Sequence, residues 1–384
     1  MSVKRLMVNL PRALSAAGLL ACALLVAACS SSGKKPEPKP LPPNPNLLAV
    51  QRIWTAQVGE ISGPMTLRVT ADGSQVLAVG GKTGEVTALS AASGQQLWRT
   101  AVGARVTAGV GSDGQLTSVV TENNDLVTLD GGKEIWRQPL GARSYTPPLV
   151  AGARVFVLTA DRVLALDGQT GRRLWSQPRV GEPLMLRQSG SILAVGNVLV
   201  VGVAGRLMGL NPLTGEPQWQ AAVAVSRGAN DIERLVDLVG SVSRQGSVVC
   251  GRAYQSRVGC VDTNRGSLIW AKNAQGYTGL GGDADRVFGT EGDGRVIAWQ
   301  RASGDQLWSA DALRYRNVSA PLALGRAVAV GDGNGNVHLL SREDGSTLTR
   351  LTTDGSAIEV QPVLAGNTLV VATQKGAIYG FRPE

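Results

Sequence analysis

Few side chains here have the types and spacing to do chemistry, and that spacing narrows what the chemistry is. Two of the four cysteines, Cys250 and Cys260, flank the stretch "CGRAYQSRVGC", a hairpin whose midpoint falls at Gln255. Residues equidistant from a turn face each other across two strands. In an oxidising compartment the pair therefore reads as a cross-strand disulfide, with two buried thiols packed as small apolar residues as the alternative. The single histidine, His338, stands in the strand-like "NVHLL", where a half-buried structural imidazole is expected. Asp113, Asp283, Asp293 and Asp332 occur in "DG" or "GGD" turns, and turn chemistry explains such acids without a metal. No nucleophile beside a base, phosphate loop or zinc spacing is visible, so the expectation is no catalytic residue, no metal and no cofactor.

Cys29 belongs to a different chemistry. Lys4, Arg5 and Arg12 precede an apolar run from Ala13 to Ala28, whose 16 residues fall short of the roughly 20 that a membrane span needs. The run ends in "LVAAC", which resembles the lipobox of bacterial lipoproteins. That resemblance implies cleavage after residue 28 and acylation of Cys29. Ser30, where an Asp would favour retention in the inner membrane, implies sorting to the outer membrane. Each buried methylene contributes about 0.8 kcal/mol, so one acyl chain holds weakly and two or more hold firmly. Cys22 is discarded with the leader. Loss of Lys4, Arg5 and Arg12 lowers the formal charge from +9 to +6; a periplasmic protein meets little nucleic acid, so this mild basicity points to no nucleic-acid partner and says little about others.

These residues need elements to position them. Residues 29–46 carry six prolines between Pro36 and Pro45, which deny regular pairing and favour an extended spacer reaching roughly 50 Å. Beyond it one phrase keeps returning. "TALSAASGQQLW" ends at Trp98, "VTLDGGKEIW" at Trp136 and "LALDGQTGRRLW" at Trp175. "MGLNPLTGEPQW" ends at Trp219, "GCVDTNRGSLIW" at Trp270 and "IAWQRASGDQLW" at Trp308, and "HLLSREDGSTLT" puts Thr349 in the seventh place. A period near 40 in β-rich sequence punctuated by Gly, Asn, Asp and Ser predicts propeller blades of four antiparallel strands. After residue 47 only "GANDIERLVDLVG" (228–240) offers even two helical turns, so the domain is expected to be all-β.

A tryptophan buries about 150–250 Å², worth up to roughly 4–6 kcal/mol, enough to fasten one blade to the next. Thr349 then marks the joint expected to be weakest. After Thr349 come three strands with no fourth, while "AVQRIW" (Ala49 to Trp54) is an outer strand with no blade of its own. Joining them closes an eight-bladed ring over residues 47–384 with Trp54 as a further latch, and hides the free edges.

The "ALD-x-x-TG-x-x-x-W" phrase resembles the repeat of the pyrroloquinoline-quinone (PQQ) dehydrogenases, also eight-bladed. Their vicinal cysteines and calcium ligands have no counterpart here, which argues against an enzyme. Lipobox, proline spacer and eight degenerate blades together resemble the BamB family, the lipoproteins of the outer-membrane β-barrel assembly machinery. Two stretches sharpen this. The family's "L-x-L-R" matches Leu184, Leu186 and Arg187, and its "I-[DE]-R-L-x-D-x-D" matches Ile232, Glu233, Arg234, Leu235 and Asp237, departing at Val239 where a second acid belongs. The resemblance implies that Leu184, Leu186, Arg187 and Asp237 contact the POTRA domains of BamA at the periplasmic face of the outer membrane. It also implies a scaffold for barrel folding and insertion, with nascent outer-membrane strands as further partners through edge pairing. A propeller holding a small ligand, peptide or glycan in its central channel, a vestigial quinoprotein, is the alternative.

Overall fold

The computed structural model describes residues 36–61, 67–81, 83–179, 186–225 and 236–383. Within them the chain forms 32 strands and no helix, grouped in eight four-stranded antiparallel sheets. Blade 1 is β2–β5 (68–101), blade 2 β6–β9 (111–139), blade 3 β10–β13 (149–178) and blade 4 β14–β17 (192–222). Blade 5 is β18–β21 (238–273), blade 6 β22–β25 (280–310) and blade 7 β26–β29 (322–352). Blade 8 joins β30–β32 (363–383) to β1 (Val50–Gln57), so the first strand completes the last sheet and closes the ring. Of residues 228–240, which offer at most two helical turns, 228–235 lie outside the described residues and 238–240 open β18 (Leu238–Gln245).

The apolar residues form eight layers, one at each joint between neighbouring blades. The recurring phrase builds these layers. The indole Nε1 of Trp54, Trp136, Trp175, Trp270 and Trp308 donates to a backbone carbonyl of the next blade (Ala91, Gly168, Pro212, Arg301 and Arg342) at 2.7–3.1 Å. Trp98 and Trp219 lie against Gly132 and Gly266 of the next blade. The turn glycine of each phrase thus receives the tryptophan of the preceding blade. Gly171, at φ +69°, would place a Cβ 2.7 Å from the Trp136 ring. Within each blade the residue paired with the indole is small: Ala88, Thr128, Ala165, Gly209, Cys260, Ala298 and Gly380.

The exchange reverses at the seventh blade. Thr349 replaces the tryptophan and its partner is Leu339, so volume lost on β29 is restored on β28. Among the described residues no receiving turn lies there, because the outer corner of blade 8 is where β1 starts at Val50, opposite Pro383 of β32. Leu48, Val50 and Phe381 pack into that layer instead. The proline-rich stretch is also partly docked rather than a free spacer up to residue 46. Lys39 N donates to Arg314 O at 3.0 Å, and Lys39 pairs with Asp311. Asn44 exchanges two hydrogen bonds with the Arg350 backbone, and Asn46 Oδ1 accepts from the Thr349 hydroxyl.

Cys250 and Cys260 are register partners on β19 (Val248–Ala253) and β20 (Arg257–Asp262), fully buried and joined as a disulfide. His338 is fully rather than half buried, with Nε2 2.9 Å from Asp332 Oδ2. Ring closure pairs β1 with β32 but leaves more edge than expected: each outermost strand hydrogen-bonds to one neighbour only. Charged side chains and a β-bulge beside each latch position guard those edges.

Candidate partner interface

In a four-stranded antiparallel blade, the turn between strands two and three and the connection to the next blade lie at the same end. All the inter-blade connections therefore open on one face. Two long ones, residues 179–191 from blade 3 to blade 4 and 223–237 from blade 4 to blade 5, hold the expected contact residues.

Asp237 joins these two connections. Its Oδ2 accepts from the Leu186 backbone amide at 3.2 Å and its Oδ1 lies 3.5 Å from Arg179 Nη2. Arg179 is itself 7% exposed at its side chain and donates to the carbonyls of Thr159 and Ala160. Burial pulls its guanidinium below the ordinary value while Asp237 opposes that shift. Three further bonds extend the seam: Gly240 N to Ser189 O at 2.7 Å, Ser191 Oγ to Gly240 O at 2.9 Å, and Gly190 N to Thr146 Oγ1 at 3.0 Å. A carboxylate on one connection that accepts a hydrogen bond from the other, and pairs with a buried arginine at its start, holds the two in one arrangement, at about 1.5–3 kcal/mol for the charged hydrogen bond.

Asp237, partly buried, therefore positions its neighbours across the two connections. Leu186 is half-buried and Arg187 is exposed. Arg187 borders a cavity of about 510 Å³ at the mouth of the central channel, whose lining includes Tyr277, Glu359 and Gln361. Leu184, Ile232, Glu233, Arg234, Leu235 and Cys29 lie outside the described residues. Val239 is 2% exposed in β18, so it lies in a blade rather than on the face. Sequence reasoning missed Arg179, whose partner is 58 positions away and follows no repeat.

Candidates for other chemistry are structural here. Asp332 is fully buried and accepts from the amides of Asn334 and Asn336, the Asn336 side chain, His338 and Arg316. Burial alone would raise its pKa, but the hydrogen bonds from His338 and Asn336 hold it at about 2. Asp283 is engaged by Arg342, and Asp293 by Arg295 and Arg314. Among the described residues no three His, Cys, Asp or Glu side chains converge as metal ligands would.

The family profile described as "Outer membrane protein assembly factor BamB" matches residues 82–310 and 302–384. A relative of that name from Burkholderia pseudomallei is 41% identical over 373 residues, covering 95% of this chain and 97% of the relative. Among solved structures, BamB from Moraxella catarrhalis aligns with a TM-score of 0.78 at 24% identity, covering 87% of this chain and 99% of that one. The quinohemoprotein alcohol dehydrogenase from Comamonas testosteroni aligns at 0.67 with 15% identity, covering 89% of this chain and 78% of the enzyme. The last two establish a shared propeller and nothing about activity. The profile match, together with 41% identity over nearly the whole length of both chains, makes this chain a member of the BamB family of outer membrane protein assembly factors.

Proposed function

We propose that the protein is a non-enzymatic scaffold of the outer-membrane β-barrel assembly machinery, held on the periplasmic face of the outer membrane by acylated Cys29 and docked on the POTRA domains of BamA. The observation that carries this is the Asp237 seam, which sets the Leu186 and Arg187 loop at a fixed place on one face of the ring. A rigid wheel with one fixed contact acts by position: it holds BamA at a set distance and orientation while barrels fold and insert. With the proline-rich stretch docked from Lys39 onward, less of residues 29–46 is left to act as a free spacer.

The test is co-purification from detergent-solubilised outer membranes. Leu186→Ala with Arg187→Glu abolishes recovery of BamA while the thermal melt of the lipoprotein stays at the wild-type temperature. Undiminished recovery rejects this interface. The channel-mouth cavity of about 510 Å³ favours a second reading, a small ligand, peptide or glycan in the channel. Titration with PQQ, read by its absorbance, tests the quinoprotein form of it.

A further inference from the structure

Arg105 and Arg143 occupy the same place in consecutive repeats, seven residues after Trp98 and Trp136, each in a "GAR" triplet. Both therefore lie in inter-blade connections on the face that carries Arg187. The structure brings all three arginines to one cavity of about 240 Å³, with Glu122 and Tyr145 also on its wall. Glu122 offsets one charge, lying 3.2 Å from Arg105 Nη2. Arg143 Nη1 lies 3.3 Å from the Tyr145 hydroxyl, and among the described residues neither Arg143 nor Arg187 has a carboxylate partner. The cavity thus holds an uncompensated positive charge presented by planar forks, the geometry that grips carboxylates two bonds at a time.

We propose that this basic cavity seats an acidic segment of the BamA periplasmic domains, its carboxylates bound by Arg143 and Arg187. The inference rests on the docking reading above and adds the chemistry of the partner's surface. The cavity is too small for a folded element and large enough for acidic side chains projecting from a loop, so it works as a socket beside the apolar contact at Leu186. Because the arginines come from three consecutive connections, blades 1 to 3 set the socket's shape and BamA approaches over that arc of the ring.

The experiment titrates the full-length, detergent-solubilised lipoprotein with BamA at several salt concentrations, comparing wild type, Arg143→Glu, Arg143→Lys and Arg187→Glu. Arg143 is exposed at its side chain, and each variant's melt is recorded to confirm the fold. Socket binding makes Arg143→Glu weaken affinity about tenfold or more at low salt, with a shallower salt dependence than wild type, while Arg143→Lys keeps most of the affinity. Loss of binding in Arg187→Glu together with wild-type binding and salt dependence in Arg143→Glu overturns the socket and leaves BamA docking standing. Absence of BamA binding by wild type overturns both.

Discussion

Replacing one turn glycine by alanine isolates what holds this ring together. Gly171 closes the outer turn of blade 3 at φ +69°, and a Cβ there meets the Trp136 ring at 2.7 Å, nearer than real Cβ contacts come. Gly152 supplies a matched control in the same blade: its φ is +58° and a Cβ on it has open space. Left-handed backbone costs an alanine about 1–2 kcal/mol at either position. Only Gly171→Ala adds overpacking against a filled layer, about 1–3 kcal/mol more. Urea unfolding should therefore show Gly171→Ala destabilising by about 2–5 kcal/mol and Gly152→Ala by about 1–2. The excess depends on the indole. In a Trp136→Ala background, itself costing about 3–5 kcal/mol, Gly171→Ala should fall to the cost of Gly152→Ala, giving a coupling of about 1–3 kcal/mol. Equal costs for the two glycines, or an excess that survives loss of Trp136, would refute the claim that the phrase is a latch between successive blades.

Two further predictions concern the fully buried pairs. The Cys250–Cys260 disulfide closes a short loop, so Cys250→Ala with Cys260→Ala should lower stability by about 2–3 kcal/mol, and adding reductant to the unfolding reaction should leave that double variant unchanged while lowering wild type. Asp332, held at about 2 against an ordinary value near 4, stabilises the fold fully above about pH 4 and loses that contribution as pH falls through about 2. Wild type should thus lose about 2 kcal/mol between pH 4 and pH 2 from this group, and an Asp332→Asn variant followed by fluorescence should lack that part of the acid slope.

The fold was legible because each repeat writes its joint into the chain. Trp at the end of one phrase and Gly in the next are 34 to 47 residues apart yet in contact, so the period gives the blade count and the missing Trp at 349 points to the closure. The reciprocal exchange of Leu339 for the small residue was not read, since it requires the strand register. Nor was the docking of Asn44 and Asn46 on Arg350 and Thr349, because polar contacts some 300 residues apart leave no periodic trace. Leu186 and Arg187 are nominated mainly by family resemblance, the long interval between Trp175 and Trp219 marking only their loop. For Asp237 the resemblance gives the partner contact but not the tie to Arg179, because nothing local points to a residue 58 positions away. Arg105 and Arg143 become visible only when repeats are superposed on their tryptophans.

Val239 shows how a departure from the family pattern can be a packing matter. It stands where a second acid belongs, and that acid would be assigned to the partner contact with Asp237. The position is in β18, 2% exposed, and its register partner across the ladder is Arg252. Arg252 is completely buried. Its Nη1 reaches Glu291 at 3.1 Å, while its Nε and Nη2 have no hydrogen-bond partner in the described protein. Burial pulls this guanidinium below its ordinary value, and Glu291 only partly opposes that. Directly opposed residues share a face of the sheet, so a carboxylate at 239 would approach the unsatisfied side of Arg252. An acid in a core normally costs several kcal/mol, but one that completes a half-satisfied charge removes a cost as it adds one. Val239→Asp should therefore shift stability by less than about 1 kcal/mol, whereas Val249→Asp, in the apolar layer between blades 4 and 5, should cost several. With Arg252→Met also present, the acid at 239 should become as costly as the one at 249. If Val239→Asp alone destabilises as much as Val249→Asp in thermal melts, the two positions do not meet, and the family's second acid belongs to the partner surface after all.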